Sequence, residues 1–264
     1  MKIVSIFAVC VVGFLLLPVV LTIWISFSPD SFLTPPRGEW SIKWYREFFS
    51  DPRWQNGVAN SLTTAIASAT LAVVLGVPLS YSMSRGTPRY RRTITTLVFL
   101  PMVLPPVAFG LGLLGLYAIL GLVGSSLSLI LTHGAISLPV VCLLLGNHFG
   151  EIPPELELAA AGLGASRGQI LRRVIIPILR PTILASFLAA MVISWNESLL
   201  TILLAGPQSE TLPAIVWPQL RFAASPLVAV ASAVSIALAV VGVSSIRRLG
   251  RVRVGGSDPH GNSR

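Results

Sequence analysis

The sequence predicts an all-α integral membrane protein with six transmembrane helices and one folded loop between the fourth and fifth. Three observations lead there. Of 264 residues, 53% are hydrophobic and only 11% are charged, and the mean hydropathy is +0.79. An ordinary soluble domain carries about 25% charge, so too few charges are present here to coat a soluble surface. The apolar residues gather into six runs of roughly 20, the length that crosses ~30 Å of hydrocarbon at ~1.5 Å per residue. Lys and Arg, 19 in all, fall mainly in alternate segments between those runs.

The first run covers about 3–26. Lys2 and the apolar stretch behind it resemble a secretory signal, but the run is too long for an h-region and no A-x-A site follows. It reads as an uncleaved anchor. The segment 29–57 then carries Trp40, Trp44 and Trp54, three of the six tryptophans. Aromatic rings favour the headgroup level, so a short helix along the outer interface is expected, as an anchor or as a contact for an external partner.

Further runs lie at 58–83, 94–119 and 126–145. The second includes Asn60, Thr64 and Ser68 at four-residue spacing, a pattern that suits helix packing. The third contains Pro101, Pro105 and Pro106, which a membrane helix tolerates when its neighbours satisfy the freed carbonyls. Continuous apolar runs lack the alternation of barrel strands.

Residues 151–181, EIPPELELAAAGLGASRGQILRRVIIPILRP, look folded. Pro153-Pro154 marks a helix start, and Glu155 and Glu157 suit the positive end of the helix dipole. Gly164 offers a left-handed stop. Ser166 and Gln169 stand at capping-box spacing and open a second helix. Pro177 and Pro181 are expected to break or kink the chain as it re-enters the membrane. The product is a helix–turn–helix with a small-residue surface, suited to linking two spans or to docking a partner.

The fifth run, 183–204, holds Glu197, the only acidic residue within a predicted span. Ser194, Glu197, Ser198 and Thr201 fall at i, i+3, i+4 and i+7 and make one polar stripe on a continuous helix. That stripe either lines a translocation path, where an acid would favour a cation, or bonds to another helix. Trp195 and Asn196 are adjacent candidates of different helical phase. The sixth run is 227–246, so residues 1–250 read as one transmembrane domain, followed by a polar tail, 251–264, expected to be disordered.

Counted by segment, 14 Lys and Arg residues share the side that holds both termini and the 151–181 loop, and five lie on the other. Both termini are therefore expected in the cytoplasm. The net charge of +9, which alone would suggest nucleic acid, becomes an orientation signal, and no nucleic-acid partner is expected. Cys10 and Cys142 lie in apolar stretches and His133, His148 and His260 are scattered, so no disulfide framework or metal site is signalled. No phosphate-binding G-x-x-x-x-G-K-[ST] loop and no catalytic constellation stands out. No cofactor and no enzymatic activity are expected.

The 151–181 segment resembles the EAA loop of permease subunits of binding-protein-dependent ABC importers, whose pattern is roughly E-A-A-x-x-x-G followed after nine residues by I-x-L-P. With the glycine on Gly164, Leu158-Ala159-Ala160 fall on E-A-A, Val174 on the isoleucine and Ile176-Pro177 on L-P. The pattern's acid is thus Leu158 here, with Glu157 one position earlier, ~100° away around a helix. The resemblance runs from about Trp44 to Ser245. It is nearest to the spermidine/putrescine type, particularly over 194–222, SWNESLLTILLAGPQSETLPAIVWPQLRF.

This resemblance implies a type I importer permease fold in the bacterial inner membrane, working with ABC ATPase subunits, a second permease (a heterodimer favoured) and a periplasmic binding protein. It implies an ATPase-coupling role for Glu157, Leu158, Ala159, Ala160, Gly164, Ala165, Ser166 and Pro177. A polyamine-like cation is the favoured solute. Two other readings stay open: a secondary transporter driven by protonation of Glu197, and a scaffold or receptor that moves nothing.

Overall fold

The computed structural model describes residues 2–222 and 225–254, with side chains from 5 to 221 and from 225 to 240. Its helices are α1 (Lys2–Ile25), α2 (Lys43–Ser50), α3 (Pro52–Arg85), α4 (Pro88–Val103), α5 (Pro106–Leu120) and α6 (Ser126–Glu151). They continue as α7 (Pro154–Gly162), α8 (Arg167–Ile170), a π-turn (Leu171–Ile175), α9 (Ile176–Asn196), α10 (Leu199–Leu204), α11 (Leu212–Phe222) and α12 (Pro226–Val254). No strand is present among the described residues; one isolated bridge joins Gly124 and Ala205. The fold is all-helical; the predicted spans lie mostly on helix, with interruptions at 104–105 in the third and at 197–198 in the fifth.

Among the described residues, four helical stretches are long and apolar enough to cross a membrane: Ser5–Ile25, Pro52–Arg85, Ser126–Glu151 and Arg167–Asn196. The third predicted span departs from expectation. It is not one continuous helix but two, α4 and α5, bent by 107°. Pro101 is carried inside α4, as expected. The Pro105-Pro106 pair is not, because a residue before proline is pushed out of the helical region and each proline removes a donor. Leu104 and Pro105 accordingly take ψ of 138° and 130°. In α12 the apolar described part, Pro226–Val240, is shorter than a span. The helix itself continues to Val254 and so includes the first residues of the predicted tail; positions 255–264 lie outside the described residues.

The chain forms two compact units. One comprises Met1–Pro52 with Pro218–Arg264, where α1 and α2 both pack on α12. The predicted interfacial helix is α2, but its aromatic face turns inward: Trp44 and Phe48 are buried, and Trp44 Nε1 donates to Asp30 O at 3.0 Å. An indole whose N–H is satisfied can be buried without polar cost, which removes its reason to seek a headgroup. Trp40 alone of the three tryptophans stays exposed.

The other unit, Arg53–Trp217, holds the candidate site. Its main core brings together Ala69, Ala72 and Val77 of α3, Val141, Leu145 and Phe149 of α6, and Leu179 and Ala190 of α9. Ile152, Ile170 and Ile175 extend that core beneath the 151–181 segment. A second cluster joins Tyr117 of α5, Leu129 of α6, and Leu200 and Leu204 of α10. At Gly76 an added Cβ would stand 2.6 Å from Val141 Cγ1, so the close approach of α3 to α6 needs a residue without a side chain.

Candidate functional site

The segment after α6 is a short helix set on a buried base. Pro153 and Pro154 start α7, and Gly164, at φ +84°, turns the chain. A Cβ in that region costs roughly 1–2 kcal/mol, which is why glycine occupies it. The box at α8 is complete: Ser166 N donates to Gln169 Oε1 at 2.8 Å, and Gln169 N donates to Ser166 Oγ at 3.4 Å. Behind it the chain runs without interruption from Arg167 to Asn196. Of the two outcomes expected at Pro177 and Pro181, a break or a kink, the break does not occur. The π-turn at Leu171–Ile175 ends two residues before Pro177 and alters the carbonyl spacing there, where the proline ring would otherwise meet the carbonyl four residues back.

The outward and inward sides of α7 differ in chemistry. Leu158 is 70% exposed and Leu163 at its end 91% exposed, with Leu156, Ala159 and Ala161 also outside. Ala160 and Ala165 pack against the core. Glu157 turns inward, its side chain 14% exposed. Arg85 Nε donates to Glu157 Oε1 at 2.9 Å and Tyr81 Oη donates to Oε2 at 2.7 Å. Arg85 Nη2 also donates to Ile152 O at 2.8 Å, just before α7. A carboxylate with each oxygen taken by a separate donor is held in direction as well as in distance.

The second feature is a break in the helix at 197–198. Glu197 leaves the helical region with ψ 108°, and α10 starts two residues later. The four-residue polar stripe assumed an unbroken helical phase; the break cancels it and sends its members in different directions. Glu197 Oε1 accepts from Leu200 N at 3.0 Å, so the acid serves as a cap on α10. Asn196 Nδ2 donates to Val192 O at 2.8 Å at the end of α9. Trp195 and Ser198 are half-buried. Ser194 and Thr201 do converge, on a residue the stripe did not contain.

That residue is His133 of α6, fully buried. Its Nδ1 lies 2.8 Å from Ser194 Oγ and its Nε2 lies 3.2 Å from Thr201 Oγ1. The Thr201 hydroxyl donates to Glu197 O at 3.0 Å. With that hydrogen committed, Thr201 accepts from Nε2–H and Nδ1 accepts from Ser194, the pattern of a neutral imidazole. One ring therefore bonds both sides of the break.

Sequence reasoning missed His133, Arg85 and Tyr81. His133 carried a usable signal, an ionisable side chain in the middle of an apolar run. Arg85 counted only as an orienting charge, and nothing in the spacing pairs it with a residue 72 positions away. The second-span reading is also refined: Thr64 and Ser68 are buried in packing, whereas Asn60 Nδ2 donates to Gln208 O and Glu210 O at 2.9 and 3.0 Å. Among the described residues no group of three His, Cys, Asp or Glu could hold a metal.

Comparison with known proteins identifies the family and the fold. Residues 72–252 match the family described as "Binding-protein-dependent transport system inner membrane component". The chain is 25% identical over 234 residues to the spermidine/putrescine transport system permease protein PotC of Haemophilus influenzae, covering 89% of this chain and 91% of that one. It is 29% identical over 241 residues to the putrescine transport system permease protein PotI of Escherichia coli, covering 87% and 84%. Among solved structures, a bacterial alginate ABC transporter in complex with an alginate pentasaccharide-bound periplasmic protein has a similar fold. Its TM-score is 0.74 at 15% identity, covering 97% of this chain and 96% of that one.

Proposed function

The chain belongs to the family of binding-protein-dependent transport system inner-membrane components, and from that premise we propose how its two interrupted regions serve transport. As a member it is the membrane permease subunit of a binding-protein-dependent ABC importer and not an enzyme; ATP hydrolysis belongs to a separate subunit. In the proposed reading, the segment from Glu151 to Pro181 docks the ATPase. One observation carries it: α7 exposes Leu156, Leu158 and Leu163 while its base is rooted in the α3–α6–α9 core through Ile152, Ile170 and Ile175. Exposed leucines on an anchored helix supply apolar area for a partner and a rigid path for its movement. Ala159 lets that partner approach closely. Gly164, Ser166 and Pro177 shape the turn and the helix behind it.

The distribution of Lys and Arg, 14 against five, supports an orientation with both termini and α7 in the cytoplasm. Six crossings follow when the α4–α5 pair counts as one broken crossing and α12 as the last. The partners are ABC ATPase subunits, a second permease of different sequence and a periplasmic binding protein. The solute is a polyamine-like cation, as in the names of the relatives. Glu197 supports that choice, since Oε1 is used in capping α10 while Oε2 accepts no bond among the described residues. Trp195, Asn196 and Ser198 surround it at the break and complete the proposed path lining.

The test is co-reconstitution of the permease pair, ATPase and binding protein in liposomes with labelled putrescine inside the assay medium. ATP-dependent uptake that stops on omission of the ATPase or the binding protein is expected. Uptake by this chain alone under a proton gradient would instead make it a secondary transporter.

A further inference from the structure

The coupling segment continues covalently into α6 on one side and, through α8 and the π-turn, into α9 on the other. It has no such link to α3. Movement of α7 can reach α3 only through non-covalent contacts, and most of those are apolar packing, which resists separation but is not directional. The exception is the polar bridge from α3. Tyr81 and Arg85 stand four residues apart on one face of its last turns. They take the two oxygens of Glu157, and Arg85 holds Ile152 O as well. One guanidinium therefore grips the chain before α7 and the carboxylate within it. Side-chain exposures of 23% for Arg85 and 14% for Glu157 limit competition by water.

We propose that Glu157, Arg85 and Tyr81 form a strut that makes α3 follow α7, and that Glu157 is a positioning residue rather than a docking contact. This rests on the docking reading above and adds to it a division of labour within α7. Leu158 faces out at the position aligned with the acid of the EAA pattern, while the acid, one residue earlier, faces α3. A turn of ~100° between neighbours separates the two tasks. The bridge is covalently rooted in α3 and ends in directional, charge-assisted bonds to Glu157 and Ile152 O, which hold its direction as well as its length.

The experiment uses the assembled importer with Cys10 and Cys142 replaced by serine. A fluorescent label goes at Ser82→Cys on α3 or at Arg180→Cys on α9, and the response to ATP–vanadate trapping is read at each. In the otherwise native protein both labels should respond. In Glu157→Gln and in Arg85→Met, the response at 82 should fall about fivefold or more, a size within the range of known coupling changes. The response at 180 should persist, because α9 is continuous with the segment, and the ATPase should still co-purify. Tyr81→Phe, which keeps the ion pair, should give a smaller loss at 82.

A full response at 82 in Glu157→Gln overturns the strut, as does a native label at 82 that ignores trapping. Loss of ATPase co-purification in Glu157→Gln, with Tyr81→Phe binding normally, makes Glu157 a docking contact and overturns it equally. Leu163→Glu separates the two ideas. If that variant still binds the ATPase, the docking reading falls, whatever the labels do.

Discussion

The segment around α7 and the break at 197–198 meet one problem, a helix that stops, in opposite surroundings. At α7 the Glu157 carboxylate is drawn inward onto α3 while Leu156, Leu158 and Leu163 stand outside. At the break Ser194 and Thr201 turn inward and bond to His133, which is fully buried, while Asn196 stays exposed. The difference follows from solvation. The partly exposed ion pair of 2.9 Å can form with its charges partly hydrated, whereas an isolated charge in a fully buried place costs several kcal/mol, so hydroxyls and imidazole do the same task around His133. Neutral bonds hold a fixed shape; an ion pair at a surface can also be loaded and released.

Four substitutions test this contrast. Gly164→Pro should have the largest effect, because φ +84° is closed to proline and the Gly164 N–H bond to Ala161 O at 2.9 Å is lost. ATPase co-purification should disappear while the permease still inserts; unchanged co-purification would show that the turn is dispensable for docking. His133→Ala should come next, lowering stability by about 3 kcal/mol through a cavity and two lost partners. Thermal unfolding of the detergent-solubilised complex reads this, and a shift no larger than that of an exposed control would remove His133 as the brace.

Glu197→Gln sharpens the second region. Glutamine keeps an acceptor for Leu200 N, so assembly should be normal, while putrescine uptake should fall about tenfold, equivalent to about 1.4 kcal/mol. Normal uptake kinetics would reduce Glu197 to a cap. The smallest effect is expected for Ser166→Ala, about 1 kcal/mol for one lost helix cap. Hydrogen exchange confined to α8 would report it, and the strut to α3 should be unaffected.

Local signals were read most successfully where one residue acts on its own backbone. Gly164 turns the chain, and the Ser166–Gln169 box closes as its spacing indicates. Failures came where a local rule had two outcomes. Proline is carried inside α4 at Pro101 but ends it at Pro105-Pro106, and Pro177 is absorbed after a π-turn. The stripe of Ser194, Glu197, Ser198 and Thr201 failed for a related reason: helical spacing presupposes an unbroken helix, and nothing in those residue types announces the stop at Glu197.

Composition, apolar run length and the partition of Lys and Arg were enough to establish a helical membrane protein and to predict its orientation, because each is a sum over many residues facing one solvent boundary. Cap and turn chemistry added the outline of the 151–181 segment, because its bonds span only a few residues. Pairings of distant residues were beyond reach. Glu157 meets Arg85 across 72 positions and His133 meets Ser194 across 61. Such contacts depend on how α3, α6 and α9 pack, and small errors in helix phase or bend redirect a side chain completely. Packing alone turned the displaced acid toward α3 and left Leu158 facing out.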